Sequence, residues 1–219
     1  MKITFILPVY NAQATIALCL KSLICQKYRA EIIVIDDCST DNTFRILQSF
    51  KDDIILFENE ERKGAAWCRN FGNSKASEPV IAVCDADVYY KDRSKAIKEF
   101  FMRYKSMDVF YSALHTKEPR NIYDKSLCQA YEWDFKSKCP ISHPTIAYRK
   151  KVTDKIKYKE LSIETDLYEF FLLDAHKAGF KFGWTQNPLM LKFEGSSVRN
   201  KDKAWKLKRR LYKEYGITI

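Results

Sequence analysis

Asp85-Ala86-Asp87 stands at the end of an apolar run, Pro79-Val80-Ile81-Ala82-Val83-Cys84. The run has the length and β-branched content of a buried strand. Two carboxylates spaced i, i+2 at its exit project into the crevice where open α/β sheets bind ligands. Carboxylate oxygens suit a hard cation such as Mg2+ or Mn2+, which in turn bridges to phosphate oxygens. The same pattern, taken alone, is also what a turn with local Asx hydrogen bonds looks like. Two further strand exits carry chemistry. Pro8-Val9-Tyr10-Asn11 follows the first apolar run; a phenol there can stack on a nucleobase, and Asn11 can bond to base or ribose, or the loop can simply hold a buried Tyr. Asp36 and Asp37 end a second run, where an acid can accept a hydrogen bond from a ribose hydroxyl or a uracil N–H. Ser39, Thr40 and Asp41 then offer caps for a following helix.

The first half of the chain alternates strand and helix. Strands are expected at 3–7, 31–35, 53–57, 79–84 and 109–111, and helices at 15–26, from Asp41 to Phe50, and at 64–76. Pro8 is expected to stop the first strand. Strands apolar on both faces, alternating with helices, indicate a mainly parallel sheet covered on both sides. The second half is less regular. It predicts an aromatic-rich helix over 124–136, a bent strand at 143–148 and a helix over 166–177 ended by Gly179. Short strands at 180–184 and 189–193 and a basic helix over 200–215 follow. The fold class expected is α/β: a Rossmann-like, mostly parallel central sheet flanked by helices, in a single domain with a basic helical C-terminal tail.

With 219 residues, 46% of them hydrophobic, the chain can bury a full core. Its seven cysteines include no C-x-x-C pair, which argues against structural zinc and for reduced, buried thiols in a cytosolic protein. A strand-like run begins at Ile3, so no signal peptide is expected. No apolar stretch approaches the ~20 residues of a membrane span. The net charge of +10 favours anionic partners: nucleotides, nucleic acid or an acidic membrane surface. No G-x-G-x-x-G follows the first strand and no G-x-x-x-x-G-K-[ST] occurs, so dinucleotide and P-loop readings lose their main support.

Four segments, in order and at roughly the family's spacing, resemble family 2 glycosyltransferases, which have the GT-A fold. They are Pro8-Val9-Tyr10-Asn11-Ala12, Ile35 through Thr43, Gly64-Ala65-Ala66-Trp67-Cys68-Arg69-Asn70 and Cys84-Asp85-Ala86-Asp87. The resemblance covers residues 1–112 well and 140–200 more loosely. It implies inverting transfer of a sugar from a nucleoside diphosphate sugar, with a uridine donor expected, to a glycan or lipid-linked acceptor. By position, Pro8 and Tyr10 border the base, with Asn11 next to them. Asp37 contacts the base with Asp36 beside it, Arg69 lies in the nucleotide pocket, Asp85 faces ribose or donor sugar, and Asp87 ligates Mg2+ or Mn2+. Residues 1–112 form the nucleotide-sugar half, 113–199 the acceptor and catalytic-base half, and 200–219 the tail.

The family's catalytic base comes from an acidic pair, often Glu-Asp, before a helix ending in Ala-Gly. Here the segment reads Glu164-Thr165-Asp166-Leu167-Tyr168-Glu169, so Asp166 is the favoured base, with Glu164 and Glu169 as substitutes. Asp166 and Glu169 share a helix face at i, i+3 if the helix starts at 166; these acids would also simply cap it. Where the family often has a His after residues 188–193, this chain has Glu194, the remaining metal-ligand candidate. His143 and His176 lack a partner pattern and read as structural. The tail places Trp205, Leu207, Leu211 and Tyr212 among cations; it suits either an anionic membrane surface or packing with a solvated basic face. The location expected is cytoplasmic, with peripheral contact at the inner membrane face. Competing functions are a catalytically impaired sugar-nucleotide-binding domain, a nucleotidyltransferase, which should show a Gly-rich basic loop after the first strand, and a basic nucleic-acid-binding module. The last leaves the acidic strand ends unexplained, and no nucleic-acid partner is expected.

Overall fold

The computed structural model describes residues 1–117, 125–128, 135, 139, 141–164, 166–187, 189–192 and 201–217. In chain order the first half gives β1 (Ile3–Val9), α1 (Ile16–Ile24), β2 (Glu31–Asp36), α2 (Thr43–Gln48), β3 (Ile55–Glu58), α3 (Ala65–Lys75), β4 (Val80–Val83), β5 (Val88–Tyr90), α4 (Arg93–Arg103) and β6 (Val109–Ser112). The rest gives β7 (Leu114–Lys117), β8 (Lys125–Cys128), a 3-10 turn (His143–Thr145), β9 (Ala147–Arg149), α5 (Lys150–Lys155), α6 (Tyr168–Lys177), β10 (Phe182–Thr185), β11 (Met190–Lys192) and α7 (Lys201–Glu214).

The central sheet has seven strands in the order β10-β6-β9-β4-β1-β2-β3. Only β9 runs antiparallel to its neighbours β4 and β6, so the sheet is mainly parallel, as expected. Both faces are covered because successive side chains alternate across a strand. Ile6, Ile33, Ile35, Ile81 and Val83 pack in one layer with Cys68 of α3 and Phe170 and Phe171 of α6. Phe5, Leu7, Ile32, Val34 and Ala82 pack in the other with Leu20 of α1 and Ile97 and Phe101 of α4. A second sheet, β5-β11-β7-β8, has four strands. Asp85-Ala86-Asp87 is one of the links between the two sheets, since β4 precedes it and β5 follows.

Pro8 does not stop β1. The strand continues to Val9, and Pro8 pairs in register with Ile35. The Val9 carbonyl accepts from Asp37 N on the β2 side, and the Ile6 carbonyl accepts from Cys84 N on the β4 side. Backbone groups alternate sides along a strand, so the nitrogen of Pro8 faces the β4 side. There β4 has already ended, pairing only Ile3 to Ile6, and no ladder bond is lost.

The expected helix over 124–136 is corrected in its first part: Lys125–Cys128 is a strand paired with β7. Most of the remainder lies outside the described residues. The bent strand at 143–148 is a 3-10 turn followed by β9. The helix expected to start at Asp166 starts at Tyr168 and ends before Gly179, whose φ of +83° suits the position after the cap. Within the tail helix α7, Leu211 and Tyr212 are buried. Lys208 pairs with Glu169 of α6 at 2.6 Å. Trp205, Lys206, Arg209 and Arg210 face solvent. Cys19, Cys25, Cys38, Cys68, Cys84 and Cys139 are free thiols; Cys19, Cys68 and Cys84 are buried, but Cys25 is exposed. Among the described residues, no helix is long and apolar enough to cross a membrane.

Candidate active site

The tips of β1, β2 and β4 open onto one cleft of about 350 Å³, a size typical of small-ligand sites. Pro8, Tyr10 and Asn11 from the end of β1 line it, with Asp37 after β2 and Asp85 and Asp87 after β4. Arg69 of α3 and, from the segment before α6, Glu164 and Asp166 complete the acidic and basic lining. Asp37 and Asp87 thus share a pocket despite their separation in sequence.

Asp37 is buried, and its carboxylate organises the start of α3. Oδ1 accepts from Asn59 Nδ2 (2.9 Å) and Lys63 N (2.8 Å), and Oδ2 accepts from Gly64 N (2.8 Å). A carboxylate at the N-terminus of a helix satisfies donors that the helix cannot. Gly64 has φ +88° and ψ 158°, a region essentially restricted to glycine. A Cβ there would lie 2.9 Å from the Ile163 Cα. The segment carrying Glu164 therefore rests directly on the glycine that Asp37 holds.

Asp36 is not brought to the cleft. Its oxygens accept from Ser39 N (3.0 Å) and Ser39 Oγ (2.6 Å). Burial lifts its pKa above the ordinary carboxylate value against those two bonds. Asn11 lines the cleft, but its amide is committed: Oδ1 accepts from Thr40 N at 2.8 Å and ties the first loop to the second.

Arg69 joins the two acidic edges of the cleft. Its Nη2 lies 3.1 Å from Asp85 Oδ1 and its Nη1 3.2 Å from Asp166 Oδ2. Burial works against the cation, but Asp166 and Asp85 outweigh it and hold the guanidinium firmly protonated. Behind Asp166, His143 Nδ1 stands 3.1 Å from Oδ2. Burial, aided by Arg69, holds the imidazole below its usual pKa, with Asp166 opposing. The backbone of Asp85 is pinned by Tyr90, whose hydroxyl accepts from Asp85 N at 2.7 Å.

Glu169 is also not brought to the cleft; it is buried against α7 by Lys208 and the Tyr212 hydroxyl. Because α6 begins at Tyr168, Asp166 precedes the helix and the two acids share no helix face. Glu194 lies outside the described residues. Three residues were not singled out for the site by sequence. Arg62 lines the cleft with its guanidinium 4.0 Å above the Tyr10 ring, hidden in the charge run Glu60-Glu61-Arg62-Lys63. Asn59 and His143 contact site acids from segments without a motif.

Among the described residues, no three carboxylate, imidazole or thiolate groups form a ready metal cage. The donor set still fits Mg2+ or Mn2+, because such ions are commonly held by one or two carboxylates plus substrate phosphates. Of the carboxylates lining this cleft, those of Asp85 and Asp87, two residues apart after β4, are the pair placed to hold such an ion.

Residues 4–165 match the family described as Glycosyl transferase family 2. The chain is 35% identical over 112 residues to the Escherichia coli UDP-Glc:alpha-D-GlcNAc-diphosphoundecaprenol beta-1,3-glucosyltransferase WfaP, covering 50% of this chain and 45% of that protein. It is 26% identical over 196 residues to the glycosyltransferase GlyG of Streptococcus pneumoniae, covering 78% of this chain and 65% of that one. The crystal structure of S. aureus TarS 1-349 with UDP-GlcNAc superposes with a TM-score of 0.73 at 23% identity, covering 98% of this chain and 66% of that chain. The chain therefore has the GT-A fold and spans under half the length of the E. coli relative.

Proposed function

This chain belongs to glycosyl transferase family 2, and from that premise we propose that it moves a sugar from a UDP-linked donor to a hydroxyl of a glycan or lipid-linked acceptor, with inversion. The observation that carries this reading is the convergence of Asp37, Asp85, Asp87 and Asp166 with Tyr10 and Arg62 on one cleft. The E. coli relative, described as using UDP-Glc and a diphosphoundecaprenol-linked GlcNAc, supports both substrate classes.

In this mechanism Tyr10 packs against the nucleobase. Asp166 accepts the proton of the acceptor hydroxyl as its oxygen attacks the anomeric carbon. The bond from that carbon to the diphosphate breaks as the glycosidic bond forms, so one displacement inverts the centre. Arg62 offers a cation to the departing diphosphate. Arg69, already shared between two carboxylates, holds Asp85 and Asp166 in register rather than neutralising the leaving group. A divalent ion on Asp87, with Asp85 beside it, would supply the remaining charge neutralisation.

The acceptor enters over the segment before α6. A second depression of about 530 Å³, lined by Lys63, Leu161, Ile163 and Leu207, shares Ile163 and Glu164 with the cleft. Leu161 and Ile163 are half-exposed apolar side chains beside the proposed base, suited to the apolar face of a sugar or the first part of a lipid.

The test is a thermal-shift titration of UDP-glucose and UDP-GlcNAc with and without Mn2+. A donor at 100 times its Kd adds about 2.7 kcal/mol, or roughly 5–11 °C for a domain of this size. Asp87→Ala should abolish the Mn2+-dependent part of that shift. Equal donor affinity with and without Mn2+ in the unsubstituted protein refutes the metal assignment, and no shift with any UDP-sugar refutes the donor.

A further inference from the structure

A line of buried polar groups runs inward from Asp166 and has no part in the transfer described above. His143 opens the 3-10 turn and is 3% exposed. Its Nδ1 faces Asp166 Oδ2 at 3.1 Å and its Nε2 faces the Tyr158 hydroxyl at 3.3 Å. The Tyr158 oxygen lies 3.4 Å from the Tyr148 hydroxyl, which donates to Asn73 Oδ1 at 3.0 Å.

The protons in this line can be placed so that each contact pairs a donor with an acceptor. A carboxylate paired with a guanidinium can only accept, so Nδ1 of His143 must donate. The ring is neutral, because burial and Arg69 disfavour its cation, so Nε2 is an acceptor. Tyr148 spends its single proton on Asn73, which leaves the Tyr158 proton for Nε2. The imidazole is thereby held as the Nδ1–H tautomer. Its plane is held too: Tyr168 stacks on it with ring centroids 4.4 Å apart and planes 7° from parallel. The Tyr168 hydroxyl is anchored to the Ile141 carbonyl at 2.8 Å. Tyr158 in turn stacks on Phe171 at 4.3 Å and 4°.

We propose that His143 is a positioning residue for the sugar transfer: with its Nδ1–H on the Asp166 carboxylate, its Nε2 tied to Tyr158 and its plane set by Tyr168, it holds that carboxylate from behind while Arg69 holds it from the side. This inference rests on the reading of Asp166 as the base. A fixed hydrogen bond behind a base sets which rotamer it presents, and a misplacement of about 1 Å can reduce a rate on the order of 100-fold.

Two measurements on the full chain separate the inference from the reading beneath it. The sequence holds three histidines, His115, His143 and His176, so 15N spectra of histidine-labelled protein can be assigned with His143→Asn. The expected spectrum contains one neutral Nδ1–H imidazole that disappears in His143→Asn and, in Tyr158→Phe, keeps its tautomer while its Nε2 resonance moves as the hydroxyl donor is lost. An Nε2–H tautomer or a charged ring for His143 at pH 7.5 overturns the proposal. The second measurement is UDP release from UDP-glucose with a synthetic N-acetylglucosaminyl diphospholipid. His143→Leu should lower kcat about 10- to 100-fold with the KM for UDP-glucose within about twofold, while His143→Asn, which keeps an N–H near the Nδ1 position, should recover most of the loss. Equal losses in both variants, or none in His143→Leu while Asp166→Asn is inactive, overturn the positioning role and leave Asp166 as base. Full activity in Asp166→Asn overturns both. Should His143→Leu fail to fold, Tyr158→Phe serves instead: a severalfold fall in kcat supports the role and an unchanged kcat overturns it.

Discussion

Replacing Arg69 by Met tests the central electrostatic arrangement. The guanidinium is 4% exposed at its side chain and touches Asp85 at 3.1 Å and Asp166 at 3.2 Å, whose side chains are 20% and 5% exposed. At an effective dielectric of about 20, each contact is worth roughly 5 kcal/mol of attraction before desolvation. Most of that is offset in the intact network by the cost of burying the charges. Removing the cation leaves the desolvation and adds repulsion between two carboxylates, so Arg69→Met should cost about 3–5 kcal/mol. For a domain of this length that lowers Tm by roughly 6–20 °C. Adding Asp166→Asn removes one orphaned charge, so the double variant should be more stable than the sum of the single effects by at least about 1 kcal/mol. In Arg69→Met two carboxylates face each other without their shared cation, so the loss should be smaller at pH 5.5 than at pH 7.5, where both carry charge. The assay is urea unfolding followed by tryptophan fluorescence at pH 7.5 and 5.5 for the single and double variants. A loss under about 1 kcal/mol in Arg69→Met, or strict additivity in the double variant, would show that Arg69 is not the shared counter-ion of the cleft.

Gly64→Ala should destabilise by about 1–3 kcal/mol from backbone strain alone and displace the Ile163 segment; a Tm within 2 °C of the parent, about the value of 1 kcal/mol here, contradicts that geometry. His143, facing Asp166, Arg69, Asp85, Tyr158 and Tyr168, is buried neutral, and its folded pKa lies below the unfolded value of about 6.5. Its contribution is thus complete above about pH 6.5 and lost as pH falls through the folded value. Melting temperature should drop between pH 7 and 5 with a shallower slope in His143→Asn; equal slopes would rule this out. Glu31, whose pKa is lowered by bonds from Thr4 and Ser77 that outweigh burial, adds its own loss only at more acid pH. Leu161→Asp, in the second depression and outside the cleft, should raise the acceptor KM severalfold while leaving UDP-glucose affinity within about twofold, since one apolar contact is worth roughly 1–3 kcal/mol; a change in donor affinity alone would place the acceptor elsewhere.

The central sheet was legible because its strands are apolar on both faces, as in Ile32, Ile33, Val34 and Ile35, and such runs have few other uses. The second sheet was legible only in part. The strand expected at 189–193 is there as Met190–Lys192, but its partner Val88–Tyr90 is three residues, too short to show a period, and their pairing joins segments about a hundred residues apart. No helix was expected over Arg93–Arg103, whose first turn and approach carry Lys91, Asp92, Arg93 and Lys95. Yet Arg93 is fully buried, with Nη1 donating to the Val83 carbonyl at 2.6 Å and Nη2 to the Ile146 carbonyl at 2.7 Å. A cation can enter a core when backbone carbonyls at two strand ends need donors, and composition carries no sign of that need.

The cleft was legible at the level of which strand tips meet, and much less so at the level of what each side chain does there. Sequence position marks Asp36 and Asp37 equally, but the strand's alternation sends them to opposite sides, Asp36 into the Ser39 turn and Asp37 to the head of α3. Arg69 presents the same lesson in charge. A lone guanidinium among acids looks like a counter-ion for phosphate. With one carboxylate at each of its terminal nitrogens, it has little charge left to give. In the proposed reaction, the cation that meets the diphosphate is one that no acid has claimed at this cleft. Arg62, stacked on Tyr10 with no carboxylate partner among the described residues, meets that condition, so in that reading the pair proposed to border the base also faces the phosphates. Positional resemblance assigns residues to a pocket; only the partners each one has already taken determine what it can still offer a ligand.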